Sequence, residues 1–142
     1  MRVRWATTCE ASTIDDRGAH SLVGVGANLL RLRAGETKAH TPLFVCLSVP
    51  RHELDTELDV AIVVVDPQGR PAGSQTHVVA IPSGQLPVGA MDGYEVPAYL
   101  STVVNFEVTS DGAYSVFVTP PLRDGEVPPE PLTVFVERAA AR

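Results

Sequence analysis

Residues 58–69, LDVAIVVVDPQG, contain both signals that decide the fold, a buried strand and the turn that ends it. The alternating apolar residues are Leu58, Val60, Ile62 and Val64. Apolar, largely β-branched residues at every second position place one face of a strand against a core. Asp66, Pro67 and Gly69 then predict a turn, because proline presets φ, the aspartate side chain accepts from the backbone and glycine closes it.

The same alternation recurs along the chain between Gly, Pro and Asp residues. The other alternating segments are residues 3–9, 23–32, 43–49, 77–81, 100–108, 114–118 and 132–136. No segment has an i, i+3, i+4 apolar pattern of helical length. About seven or eight short strands predict one all-β domain over residues 1–142, an immunoglobulin-like or C2-like antiparallel β-sandwich. A closed or partly open β-barrel is the alternative.

Two details bear on the layout of the sheets. In the first strand, one face is expected to carry Val3, Trp5, Thr7 and Cys9. The alternate apolar residues lie at odd positions up to Leu29 and at even positions from Leu30 to Leu32. This change near Asn28 predicts a bulge or a strand that changes sheets.

The last two segments are expected to form a hairpin with an exposed aromatic pair. Its predicted cross-strand pairs are Val116–Val136, Phe117–Phe135 and Val118–Val134. Phe117 and Phe135 then point away from the core. Either another loop covers them, or they form a contact surface for a second copy or a protein partner.

Two irregular segments are also expected. Residues 82–97 form a long loop, and the Pro-rich residues 120–131 form an excursion, because proline cannot donate to a central ladder. Met91 and Tyr94 in the first segment are a second candidate contact, with a tuck into the core as the alternative. Asp111 and Gly112 predict a turn just before Tyr114. In many sandwiches a tyrosine at such a strand start hydrogen bonds through its hydroxyl to a nearby loop, and the same role is expected for Tyr114.

Charge, apolar runs and cysteine positions limit the classes of partner and the cellular setting that are expected. The net charge is −6, and the single Lys38 beside ten arginines forms no basic stripe, so nucleic acid is not expected. No apolar run approaches the roughly 20 residues of a membrane span, and the start has no signal-peptide pattern, so a cytoplasmic protein is expected. Cys9 and Cys46 lie far apart in apolar segments, which predicts two buried, reduced thiols.

No residue pattern predicts catalysis, a cofactor or a metal. The histidines show no metal-ligand spacing; they are His20, His40, His52 and His77. The acidic residues after His52 indicate a charged connection between strands. The glycines at 24 and 26 lack the dinucleotide-binding pattern, and the two aspartates at 15 and 16 are expected to form a turn, not a calcium site.

Most of the chain resembles a bacterial, actinobacterial-type family of short stand-alone β-sandwich proteins, a domain of unknown function. The resemblance rests on an opening strand with Cys9 and on the segments 15–18, 21–26, 43–71, 86–89 and 112–114. It implies a stand-alone sandwich without known catalytic residues, and it implies nothing about a ligand.

The sequence supports two hypotheses about function. The first is a non-enzymatic interaction or scaffolding domain that binds itself or a protein partner through Phe117, Phe135, Met91 and Tyr94. The alternative is a small-molecule or carbohydrate-binding sandwich, which needs an exposed aromatic platform beside polar donors. Aromatic residues make up only 6% of the chain, which places this alternative second, with Trp5 as its natural reporter.

Overall fold

The computed structural model describes residues 1–140, and its regular structure is almost entirely β. The strands are β1 (Arg2–Thr8), β2 (Ala11–Ile14), β3 (His20–Val23), β4 (Leu29–Leu32), β5 (Lys38–Pro50), β6 (Glu57–Val65), β7 (Pro71–Ala80), β8 (Glu95–Glu107), β9 (Gly112–Thr119) and β10 (Leu132–Arg138). Two short 3-10 turns cover Arg51–Glu53 and Ser83–Gln85. The predicted all-β fold is confirmed.

The strands form two packed sheets and a separate hairpin. One sheet has the order β1-β5-β8 and the other the order β4-β10-β9-β6-β7, while β2 and β3 pair only with each other. All pairs are antiparallel except β4 with β10. The arrangement matches the A-B-E and G-F-C strands of an immunoglobulin-like sandwich, with β4 as a second part of the first strand.

The core lies between the two sheets and has the alternation that the sequence predicts. Residues 60, 62 and 64 of β6 are 0 to 1% exposed, as are three of the alternate residues of β5, namely Leu43, Val45 and Leu47. Phe106 and Tyr114 add an aromatic pair, with ring centroids 5.2 Å apart. Burying a side chain of this size contributes about 1.5–3 kcal/mol, so the shared inward face of these strands specifies the sandwich.

The turn after β6 forms as its residues predict. The Asp66 Oδ1 atom accepts from the backbone N–H of Gln68 at 2.9 Å and of Arg70 at 2.8 Å. The Arg70 Nε atom donates to Asp66 Oδ2 at 2.9 Å, and Gly69 takes a φ of 81°. Asp66 is 8% exposed, so its carboxylate is satisfied mainly by this turn.

Tyr114 makes the predicted tie at the start of β9. Its side chain is fully buried, and its hydroxyl donates to the Ser110 carbonyl oxygen at 2.8 Å. The bond joins the first residues of β9 to the loop before it, as the tyrosine element does in many sandwiches.

The predicted change of sheet near Asn28 is confirmed. β3 pairs with β2 in the hairpin, and after residues 24–28 the chain enters β4 in the five-stranded sheet. Leu30 and Leu32 pack against the core there, whereas Leu29 is 49% exposed.

The predicted register of the last hairpin is wrong. The observed pairs are Leu132–Val116, Val134–Tyr114 and Phe135–Ala113, so Phe117 and Phe135 are not opposite each other. The two registers differ by an even number of residues, and both keep Val134 and Val136 facing the core. Alternation therefore does not distinguish them, and a connection as long as residues 120–131 does not fix the register as a tight turn would.

The predicted shared face of Val3 and Trp5 is also wrong. Val3 lies opposite the core residue Leu47, whereas Trp5 lies opposite Cys46, with a register shift between them. The extra residue, Arg4, reverses the orientation of the residues after it, as a β-bulge does. Trp5 therefore lies on the outer face of the three-stranded sheet.

One lateral side of the sandwich is closed by side chains between β7 and β8. The Gln75 Nε2 atom contacts His77 Nε2 at 2.8 Å, donates to Thr102 Oγ1 at 3.3 Å and donates to the Val103 carbonyl at 3.4 Å. At Gly73 the strands come so close that an added Cβ would lie 2.6 Å from the Asn105 carbonyl oxygen. The sandwich is thus curled along this side.

Candidate functional site

Four aromatic rings meet on the outer face of the three-stranded sheet. Phe44 lies at the centre, with its ring centroid 5.4 Å from that of Trp5 and 5.7 Å from that of Tyr99. His20 meets Phe44 edge-on at 5.1 Å and lies 5.2 Å from Tyr99. Three of the chain's eight Phe, Trp and Tyr residues are therefore gathered at one place outside the core.

Each ring comes from a different strand. Trp5 of β1 and Tyr99 of β8 both lie opposite Cys46 of β5, so they stand on either side of the central strand. Phe44 is two residues from Cys46 on the same face of β5, and His20 comes from the β2–β3 hairpin. The bulge before Trp5 is what turns its indole to this face.

The tip of the hairpin is a rigid turn that positions His20. The Asp15 Oδ1 atom accepts from the backbone N–H of Arg17 and of Ala19, each at 2.9 Å. The hydrogen bond from Ala19 is the largest cause of a lowered pKa of the Asp15 carboxyl. Gly18 completes the turn with a φ of 80°, a conformation that favours glycine.

The hairpin covers only part of the sheet. Phe44 is 2% exposed, whereas Trp5 is 47% and Tyr99 is 50% exposed. Ser12 on β2 hydrogen bonds to Ser101 on β8, which holds the hairpin down beside the rings. The central ring is therefore sealed, while the two flanking rings offer their surfaces to solvent.

The uncovered part is a cavity of about 410 Å³, which we call the aromatic cleft. It is lined by Trp5, Gly18, Ala19, His20, Leu22, Phe44 and Tyr99. This set contains no carboxylate, lysine or arginine. The lining residues with a polar side-chain atom are Trp5, His20 and Tyr99, so the cleft combines aromatic residues with a few hydrogen-bonding groups.

Both cysteines are buried and free, which confirms their predicted burial. Cys46 lies on the same face as Phe44, and burial raises the pKa of its thiol, an effect that the Arg4 guanidinium only partly opposes. Burial also raises the pKa of the Cys9 thiol. Thiols in this environment are poor nucleophiles.

The predicted contact residues on the other sheet face outward but do not adjoin. Phe135 is 47% exposed and lies beside Leu29 of β4, which is 49% exposed. Phe117 is half-buried and lies opposite Val63 of β6. Phe117 and Phe135 thus share the outer face of the five-stranded sheet without forming one aromatic pair.

Met91 and Tyr94 do not tuck into the core. Met91 is 80% and Tyr94 is 40% exposed. The loop that contains them ends at Tyr94, earlier than the predicted residue 97, since β8 begins at Glu95. The Arg51 guanidinium donates to the carbonyls of Ala90 and Met91 and so holds this loop against the turn after β5.

Other candidate groups are occupied by contacts within the protein. Glu53 pairs with Arg123 at 3.0 Å, and His40 hydrogen bonds to Asn105. Among residues 1–140, no group of three or more His, Cys, Asp or Glu residues is placed to hold a metal ion. In the same part of the chain, no helix has the length and apolar character to cross a membrane.

The alternation pattern assigns no role to His20, Phe44 or Tyr99, yet one signal for the site is present in the sequence. Residues 43–49, LFVCLSV, are apolar at nearly every position, and such a strand is covered on both faces. The core covers one face of β5, and the hairpin with the flanking rings covers the other.

We compared the chain with family models, with curated proteins and with solved structures, and none of them matches it. The resemblance to a bacterial family of unknown function therefore stays a prediction.

Proposed function

We propose that this chain is a non-enzymatic binding domain whose aromatic cleft takes a small, uncharged, ring-bearing molecule. The observation that carries the proposal is the half-exposure of Trp5 and Tyr99 on either side of the sealed Phe44. Aromatic side chains that are exposed in a concave site stack on rings, and each such contact contributes about 0.5–1.5 kcal/mol beyond the area it buries.

The absence of charge in the lining supports an uncharged ligand. No Asp, Glu, Lys or Arg side chain lines this cleft, so a charged group would lose water without gaining an ion pair from a residue of these types. The nearest carboxylate of the hairpin, Asp15, is already engaged by the N–H groups of its own turn.

Ligand-observed NMR with uncharged ring compounds tests the proposal. We would use indole, adenosine, methyl glucoside and N-acetylglucosamine as probes of the full chain. Trp5→Ala and Tyr99→Ala should each weaken binding about threefold to tenfold, since each removes one stacking contact. Val88→Ala is the control, because Val88 is a fully exposed apolar residue in the loop between β7 and β8 and lines neither the aromatic cleft nor the second candidate surface.

Two results would contradict the proposal. One is that no probe binds. The other is that probes bind equally well to the Trp5→Ala, Tyr99→Ala and Val88→Ala variants, which would locate binding elsewhere.

A second candidate function is self-association or binding of a protein partner through the outer face of the five-stranded sheet. The contact between exposed Phe135 and exposed Leu29 favours it, since adjoining exposed apolar side chains are typical of interfaces. If this face joins two copies, light scattering should give a dimer mass that falls to a folded monomer in the Phe117→Ser/Phe135→Ser variant. A monomer mass for the unaltered chain contradicts self-association. A cytoplasmic setting stays a prediction for either function.

A further inference from the structure

Trp5 lines a second cavity as well as the aromatic cleft. This cavity, the β1 groove, has a volume of about 330 Å³. It is lined by Val3, Arg4, Trp5, Ala6, Val118, Pro129, Glu130, Pro131 and Leu132. Trp5, which is half-exposed, is therefore the one lining residue that the aromatic cleft and the β1 groove share.

We propose that the ligand is a linear, uncharged oligosaccharide that lies across Trp5, with rings in both cavities. This inference rests on the proposed function and names its ligand class. The two cavities together suit a ligand longer than one ring. Each cavity lies near the lower end of the roughly 300–1,000 Å³ typical of small-molecule sites, and a chain of linked rings occupies both where a single ring occupies one.

The exposed rings are arranged to be covered from above. Phe44 fills the space between Trp5 and Tyr99, with its ring centroid 5.4 Å from that of Trp5 and 5.7 Å from that of Tyr99. A ligand therefore lies over the two half-exposed rings and does not insert between them. A chain of linked rings can contact both, whereas one ring contacts fewer of these surfaces.

The side chains that line the two cavities also suit a sugar. The C–H groups of a sugar ring pack on aromatic faces, while its hydroxyls both donate and accept hydrogen bonds. His20 and the Tyr99 hydroxyl supply partners in the cleft, and Arg4 and Glu130 supply a donor and an acceptor in the β1 groove. The cleft has no charged lining residue and the groove has one of each sign, so the whole site favours an uncharged chain.

The test is a titration series in chain length. Neutral oligomers of glucose, xylose, mannose and N-acetylglucosamine, from one to six units, are titrated into the full chain by calorimetry. Emission of Trp5, the chain's one tryptophan, is followed in parallel. Oligogalacturonates of the same lengths serve as the charged comparison, and indole and adenosine serve as single planar probes.

The expected result is that one neutral series binds more tightly as its length increases, with a change in Trp5 emission. Trp5→Ala should weaken the longer oligomers at least tenfold and remove most of the gain with length, because it breaks the link between the two cavities. Tyr99→Ala should weaken all lengths by a similar factor, about threefold to tenfold, because Tyr99 lines only the cleft. Val88→Ala, at an exposed loop residue that lines neither cavity, should bind as the unaltered chain does.

Four results overturn the inference. Binding of indole or adenosine that depends on Trp5 and Tyr99, without binding of any oligosaccharide, overturns it and leaves the proposed function standing. An affinity for oligosaccharides that does not change with chain length has the same consequence. A preference for oligogalacturonate over every neutral series overturns the inference and also contradicts the uncharged ligand of the proposed function. If no probe of any type binds, both the inference and the proposed function fail.

Discussion

Removing one oxygen atom from Tyr114 tests how the first residues of β9 are held. In Tyr114→Phe the fully buried ring keeps its contact with Phe106, and only the hydrogen bond to the Ser110 carbonyl is lost. A typical intramolecular hydrogen bond contributes about 0.5–1.5 kcal/mol. Ser110 is half-buried, so water reaches its freed carbonyl and the upper end of that range is not expected.

We therefore expect Tyr114→Phe to lower the free energy of unfolding by about 1 kcal/mol. With an unfolding entropy of about 2.1 cal/mol/K per residue, a chain of 142 residues should lose about 3 °C in Tm. Urea and thermal unfolding followed by circular dichroism measure both quantities, and the urea m-value should not change, because the same surface is exposed on unfolding.

Tyr99→Phe is the matched control for this experiment. It removes the same atom from a tyrosine that is 50% exposed, so its effect should stay within about 0.5 kcal/mol. Equal stability of Tyr114→Phe and the unaltered chain would refute the role assigned to the hydroxyl. An equal loss in both variants would show that the effect does not come from the buried hydrogen bond.

Three further predictions concern the turn after β6, the contact between β7 and β8, and the cysteines. Burial raises the pKa of Asp66, but hydrogen bonds from its turn outweigh that effect and leave the pKa lowered. The stability that this carboxylate contributes is therefore complete above about pH 4 and is lost as the pH falls through the pKa of Asp66 in the folded protein. The destabilisation caused by Asp66→Asn, measured by urea unfolding, should therefore shrink on acidification. Gly73→Ala, whose Cβ would meet the Asn105 carbonyl at 2.6 Å, should cost about 1–3 kcal/mol, whereas Gly84→Ala, with nothing within 4 Å, should be nearly neutral in the same assay. Both cysteines should resist iodoacetamide until the chain is unfolded, as intact-mass measurement would show, because burial raises both thiol pKa values.

The features that the sequence predicts correctly are those set by close neighbours in the chain. The Asp66 turn depends on residues within four positions of it, and the Tyr114 tie spans four positions. Alternation likewise identifies the core face of β6, because every residue of the strand contributes to that pattern.

The features that the sequence predicts wrongly depend on strand register, that is, on which residues of two strands lie opposite each other. An even shift of β10 leaves its valines in the core, so parity does not exclude the wrong register. The bulge before Trp5 adds one residue and moves the indole from the face of Val3, where the sequence predicts it, to the opposite, outer face. The aromatic cleft depends on that bulge and on strands distant in sequence, which is why alternation alone does not find it.

The β2–β3 hairpin gives the clearest argument that the aromatic cleft serves binding and not only packing. In an immunoglobulin-like sandwich the first strand can pass directly from one sheet to the other, yet here a hairpin is inserted between β1 and β4. The hairpin folds back over the outer face, where His20 seals Phe44. Trp5 and Tyr99 stay half-exposed beside this cover, and each exposed ring forgoes part of the roughly 25 cal/mol per Å² that burial contributes. A ligand that covers them in a cavity lined by no Asp, Glu, Lys or Arg would recover the energy that the fold leaves unused.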